Sequence, residues 1–196
     1  MPPLRVRLIG RTLSFLVARA PWLWPLLRSP TTRFWDGMAA HWTQRTTTPG
    51  RMYPLEAALE HVGSPRRILE IGTGAGDGAQ LIAARFPDAE LTAVDISERM
   101  LAIARDALPE RVRLVRAEAA ALPFDAGSFD LVVQMNVPVY FRELARVTAP
   151  GGCVAIASSL GPVTPYYTPH GVLRRRFTEV ASGQAAPGDY FIGRPS

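Results

Sequence analysis

The chain has 196 residues, a hydrophobic content of 47% and a formal net charge of +5. That length and apolar content describe one domain, or one domain with an extension, and exclude wholesale disorder. All 22 basic residues are arginine: residues 1–67 hold ten against three acids, a net of +7, whereas residues 68–196 hold twelve against fourteen, a net of −2, which argues against a nucleic-acid footprint over the whole chain.

Residues 1–30 form a basic, apolar arm. Arg5, Arg7 and Arg11 precede an apolar run at 13–18, and Arg19 and Pro21 interrupt it before Trp22, Leu23, Trp24 and Pro25. A signal peptide has an uninterrupted apolar middle, and a membrane span needs roughly 20 apolar residues, so the arm fits neither. It is expected to pack on the domain or a partner subunit. Contact with a membrane surface, where Trp and Arg commonly occur together, and a disordered or targeting segment stay open.

Residues 31–65 are expected to form a helical cap. Thr31 or Thr32 can cap a helix over 31–45, in which Trp35, Met38 and Trp42 fall on one apolar stripe. That stripe covers the core or, on a second reading, lines a substrate. A loop at 46–50 leads to a second helix at 53–62, which Gly63-Ser64-Pro65 stops.

From residue 66 to 196 strands and helices alternate. Strands are expected at 68–71, 90–94 (closing on Asp95), 112–115, 129–135 and 153–158, and helices at 76–86, 97–108 with Ser97 as N-cap, and 140–148. Pro150-Gly151-Gly152 is expected to be a turn, and Cys153 a small buried hydrophobe; a lone cysteine allows no disulfide or Cys metal site within the chain. His41, His61 and His170 show no metal-ligand spacing. Near-continuous apolar strands joined through helices predict an α/β fold: a doubly wound, Rossmann-like, mostly parallel sheet with an N-terminal helical extension. Segments 177–181 and 189–193 are expected to add a C-terminal antiparallel edge hairpin.

In such a sheet ligands bind beyond the carboxyl ends of the strands. Glu70, Asp95 and Glu118 fall at such ends, and Asp95 lies 19 residues after Gly76. A carboxylate there can accept from both hydroxyls of a ribose, so an adenosine-containing cofactor follows. Two registers remain. Gly74-Ala75-Gly76-Asp77-Gly78-Ala79 satisfies the G-x-G-x-x-G/A dinucleotide pattern, and Glu70-x-Gly72-x-Gly74-x-Gly76 places an acid before three alternating glycines.

The second register resembles the first motif of class I S-adenosylmethionine-dependent methyltransferases. The resemblance continues in Val94-Asp95-Ile96-Ser97 with Met100-Leu101, in Glu118-Ala119 with Leu122-Pro123-Phe124 and Ser128-Phe129-Asp130, and in Glu143-Leu144-Ala145-Arg146-Val147 with Pro150-Gly151-Gly152. It covers about residues 66–159 and is most similar to small-molecule methyltransferases of the quinone-biosynthesis type. It implies S-adenosylmethionine as cofactor, with Glu70 receiving the ammonium group and Gly72, Thr73, Gly74 and Gly76 running under the methionine part. Asp95 would hold the ribose, Ile96 and Met100 the adenine side, and Glu118 and Ala119 the adenine edge. Gln134, Met135 and Asn136 would face the sulfonium. No base is assigned; Tyr140, Glu143, His41 and His170 are available.

One departure is the shortened stretch after the fourth strand: only 20 positions separate Asp130 from Pro150, which leaves the acceptor open. The expected function is methyl transfer to a small, apolar acceptor, in a cytoplasmic protein with the arm as a peripheral membrane contact and a homodimer as a further candidate, and with neither a metal nor nucleic acid as partner. The alternatives are an NAD(P)-dependent oxidoreductase and a catalytically silent cofactor-binding scaffold.

Overall fold

A computed structural model of the protein describes residues 24–39 and 49–196. Helices α1 (Trp24–Ala39) and α2 (Tyr53–Glu60) come first. Then follow β1 (Arg67–Ile71), α3 (Asp77–Arg85), β2 (Glu90–Asp95), α4 (Glu98–Ala107), β3 (Arg113–Arg116), β4 (Phe129–Met135), α5 (Phe141–Val147), β5 (Thr148–Ser158), the single turn α6 (His170–Leu173), β6 (Phe177–Ala185) and β7 (Gly188–Pro195).

The strands form one seven-stranded sheet in the order β3-β2-β1-β4-β5-β7-β6. The first five pair in parallel, and β7 runs antiparallel to both of its neighbours. The expected edge hairpin is therefore present, inserted so that its second strand pairs with β5. Strand order reverses between β1 and β4, and that reversal opens a crevice above their carboxyl ends.

Alternate residues of each strand feed two cores. Ile68, Leu131, Val133 and Ala155 pack with Leu55 and Leu59 of α2 and Ile82 of α3. Leu69, Val132, Val154 and Phe191 pack with Leu144 and Val147 of α5 and Leu173 of α6. Residues buried on both faces of a strand explain the near-continuous apolar runs in the sequence. Cys153 is half-buried against the first core, and burial raises its thiol above the ordinary range.

Two expectations are corrected. The helix expected from residue 31 begins at Trp24 and passes through Pro30. Its missing N–H costs one bond to the carbonyl of Leu26, which is exposed and open to water. Thr32 therefore caps nothing; its hydroxyl donates to the Arg28 carbonyl one turn back, at 2.9 Å. The expected turn at Pro150-Gly151-Gly152 is a bulge inside β5: Phe129 pairs with Thr148 but Leu131 pairs with Cys153, and Gly151 takes up the extra length at φ +79°. Trp42, His41 and the arm before residue 24 lie outside the described residues.

Candidate functional site

The turn after β1 is built to bring backbone against a ligand. Gly72 and Thr73 both donate their N–H groups to the Val94 carbonyl, at 2.8 and 3.0 Å, so the turn folds over the end of β2. Gly72, Gly74 and Gly76 have φ of +73°, +57° and +96°, a region other residues enter at a cost. A Cβ on Gly72 would also stand 2.3 Å from Cγ2 of Val137.

Asp95 ties this turn to α4. Its Oδ2 accepts the Gly74 N–H at 2.9 Å and its Oδ1 accepts the Ser97 N–H at 2.9 Å. Ser97 caps α4 as expected, accepting from the Met100 N–H at 3.2 Å. Burial raises the Asp95 carboxyl, its backbone hydrogen bonds offset this in part, and the nearby charge of Asp36 adds to the rise. Asp36 reaches the site from α1, where its Oδ1 accepts the Ser97 hydroxyl.

Glu70 is the odd residue of the fold. It stands in the middle strands of the sheet, 4% exposed. Burial pushes its carboxyl up to about 7; Thr73 and Ala79 pull the other way, and the charges of Asp95 and Asp77 add to the rise. Neither Glu70 Oε2 nor Thr73 Oγ1 forms a hydrogen bond of proper geometry among the described residues. A buried carboxylate oxygen without a donor is costly, so the pair is suited to a ligand that brings its own N–H groups.

These groups line a cavity of about 1030 Å³ of empty space, mouth included. Glu70, Gly72, Thr73, Gly74, Asp95, Ile96, Met100, Ala119, Met135 and Asn136 all reach its wall. Gly76, Glu118 and Gln134 are not on that wall. Gly76 starts α3 against Leu108 and Ala104. Glu118 is ion-paired with Arg28 at 3.5 Å. Gln134 donates to the Val137 carbonyl at 3.1 Å and so fixes the wall from below.

The wall also contains residues the sequence reading missed. Arg51 pairs with Asp77 at 2.6 Å, and both line the cavity beside Glu70. Arg51 precedes a helix far from the motif in sequence, so only its composition as a lone Arg in an apolar stretch could have marked it. Thr31 reads in the sequence only as a helix cap, Val137 and Pro138 only as part of the shortened stretch after the fourth strand, and Tyr166 carries no role there, whereas Trp35, for which lining a substrate is one of two readings, is on the wall. Its ring lies 6.3 Å from that of Tyr166.

Of the four candidate bases, Tyr140 lines the cavity, with its hydroxyl raised well above its usual range by burial and by Glu118 and Tyr166. Glu143 is occupied: it accepts the Leu122 N–H and pairs with Arg146, which hold it below the ordinary carboxylate range. His170 stands 3.9 Å from Asp189, off the cavity wall.

Residues 68–152 match the family model described as a methyltransferase domain. The chain is 40% identical over 116 residues to a demethylmenaquinone methyltransferase of Thermus thermophilus, covering 54% of this chain and 52% of that protein. It is 39% identical over 130 residues to a malonyl-[acyl-carrier protein] O-methyltransferase of Halorhodospira halophila, covering 62% and 43%. The chain thus spans about half the length of the curated relatives it matches. Among solved structures, an N-methyltransferase of Bradyrhizobium japonicum in complex with S-adenosylhomocysteine shares the fold at a TM-score of 0.63 and 22% identity, over 83% of this chain and 96% of that one. A methyltransferase of Aquifex aeolicus shares it at a TM-score of 0.62 and 18% identity, over 76% and 94%.

Proposed function

We propose that residues 68–152, which match a methyltransferase domain, form a class I S-adenosylmethionine-dependent methyltransferase domain and that the chain moves the methyl group of this cofactor to a small, apolar acceptor. The observation that carries the reading is the charge of the cavity wall: Glu70, Asp77 and Asp95 face it with Arg51 as the cation among them. An acid-rich wall suits a ligand bearing a sulfonium and an ammonium, and repels the pyrophosphate of a nicotinamide dinucleotide. The comparisons give the oxidoreductase alternative no support.

The residues fit the cofactor. Glu70 Oε2, buried without a donor, would accept from the ammonium group. Arg51, next to it, would take the methionine carboxylate, a role the Arg guanidinium suits. Gly72, Thr73 and Gly74 leave the backbone open to approach. Asp95 spends one lone pair of each oxygen on Gly74 and Ser97 and keeps others for the ribose hydroxyls. Ile96 and Met100 would pack on the adenine, and Ala119 would offer its edge a backbone N–H. Gly76 starts α3 and Gln134 holds the Val137 carbonyl, so both support these residues from outside the wall. When bound, the cofactor supplies a methyl carbon already activated by the adjacent positive sulfur. What remains for the protein is to hold the two reactants close and in line and to exclude water.

The acceptor side of the cavity is apolar, formed by Trp35, Val137, Pro138, Tyr140 and Tyr166. Phenols and quinone precursors fit it best; a carboxylate presented on an apolar chain is the second acceptor class. Among the described residues no helix is long and apolar enough to cross a membrane. The test is transfer of a labelled methyl group to a panel of phenols, quinone precursors, carboxylates and amines. Labelling of an apolar phenol or quinol above the others supports the reading; labelling of amines alone, or of nothing, overturns it.

A further inference from the structure

One buried carboxylate has no part in the cavity wall. Asp189 is the second residue of β7 and is 2% exposed, yet it does not line the cavity. A carboxylate is costly to bury unless donors meet its oxygens. Asp189 pairs with Ser158, the last residue of β5, which puts it at the carboxyl end of the sheet beside the segment that leaves β5. Groups of that segment surround it. A Cβ on Gly161 would stand 3.7 Å from its Oδ2, and His170 Nε2 stands 3.9 Å from the same oxygen. The Tyr167 hydroxyl is pushed up to about 12 by burial, by the Asp189 charge and by its hydrogen bond to Asp189. Burial raises the Asp189 carboxyl in turn, and Tyr167, His170 and Gln184 offset this in part.

The same segment carries Tyr166 to the acceptor side of the cavity, its ring 6.3 Å from that of Trp35. Thr164-Pro165-Tyr166-Tyr167 is a turn, closed by the Tyr167 N–H donating to the Thr164 carbonyl at 3.3 Å. Pro165 takes the place in that turn whose φ proline presets. Both ends of the turn are fastened. At the first, Thr164 is buried and its Oγ1 accepts the Leu160 N–H at 3.2 Å, while the side chain of Asn136 bonds to the Ser159 N–H and hydroxyl. At the second, Tyr167 is tied to Asp189. Tyr166 lies between these two ends, so its place on the wall depends on both.

We propose that Asp189 is a positioning residue for the acceptor: through Tyr167 it anchors the turn that holds Tyr166 opposite Trp35, and so sets how tightly the cavity grips an apolar, aromatic acceptor. The nature of the acceptor rests on the methyl-transfer reading; the anchor rests on the geometry alone. The C-terminal hairpin thereby gains a task at the site. No residue of β7 is on the cavity wall, but one side chain of β7 holds the segment that supplies part of it.

The test is calorimetric titration of the full chain, saturated with S-adenosylhomocysteine, with para-propylphenol as the acceptor probe. Asp189→Ala and Tyr167→Phe should each weaken phenol binding about tenfold and leave S-adenosylhomocysteine affinity unchanged. Asp189→Asn keeps an oxygen for the Tyr167 hydroxyl and should restore phenol affinity to the native value. Amide hydrogen exchange in Asp189→Ala and Tyr167→Phe should quicken over residues 160–170 and stay native over 72–76. Variants that bind the phenol as the native chain does overturn the proposal. So do variants that lose both ligands together or exchange faster throughout, which assigns Asp189 to the stability of the whole domain. Native exchange over 160–170 in both variants overturns it as well. A native chain that binds S-adenosylhomocysteine without the phenol, or binds neither, strikes the methyl-transfer reading of the acceptor instead, and the exchange rates then decide the anchor.

Discussion

A Cβ placed on Gly78 would stand 2.0 Å from Oε1 of Glu70. Gly78 is the second residue of α3, and its missing side chain is the space in which the Glu70 carboxyl lies. In the sequence this glycine is only one position of the dinucleotide pattern; the structure gives it to the acid. Gly78→Ala should therefore push Glu70 out of position and weaken S-adenosylhomocysteine binding by at least about tenfold. Calorimetric titration of the variant checks this, with its far-ultraviolet circular dichroism as the control for folding.

Glu70 also sets a pH dependence. Its carboxyl titrates near 7 in the folded chain against 4.5 for an unperturbed one, chiefly through burial. Between these values the folded chain holds a proton that the unfolded chain has lost. The associated stability is thus full below about pH 4.5 and is lost as pH rises through 7, by roughly 3 kcal/mol in total. Denaturant unfolding of the ligand-free protein should show this decline from pH 5 to 8, and Glu70→Gln should remove it. An ammonium at Oε2 favours the ionised form, so binding at pH 6 should release a proton, visible as a dependence of binding heat on the buffer; Glu70→Gln should abolish that release.

Arg51 and Glu70 are assigned to the amino-acid end of the cofactor. Arg51→Ala should raise the dissociation constant of S-adenosylhomocysteine about tenfold. Methylthioadenosine, which lacks that end, should bind the variant and the native chain alike. An equal loss for both ligands would mean that Arg51 acts by holding α3 through Asp77 instead.

Asn136 is the non-glycine residue at positive φ among those described, +57°. Its side chain clamps the end of β4 to the chain after β5: Nδ2 donates to Ser159 Oγ and Oδ1 accepts the Ser159 N–H, both at 2.9 Å. Asn136→Gly loses the clamp and keeps the conformation; Asn136→Ala loses both. The Ala variant should be less stable than the Gly variant by about 1 kcal/mol in denaturant unfolding.

What could be read from the sequence was local. The positive-φ glycines, the strand ends at Glu70 and Asp95, and the Ser97 cap each depend on residues within a few positions of one another, and the sheet follows from apolar runs. What escaped reading depends on pairs far apart in the chain. Arg51 meets Asp77, Asp36 meets Ser97, and Arg28 meets Glu118; no periodicity announces such contacts. A threonine misplaced the start of α1, and Pro150-Gly151-Gly152 misplaced a turn within β5. Pro30 lies inside α1 because docking on α4 outweighs its lost hydrogen bond, and Pro150 lies inside β5 because Gly151 absorbs the bulge.

The central claim is that the acid-lined crevice above β1, β2 and β4 holds S-adenosylmethionine. It is tested most directly by calorimetric titration of the full chain with S-adenosylhomocysteine and, separately, with NAD. Saturable one-to-one binding of S-adenosylhomocysteine, lost in Asp95→Ala and with no heat from NAD, is the predicted result; binding of NAD with none of S-adenosylhomocysteine would contradict it.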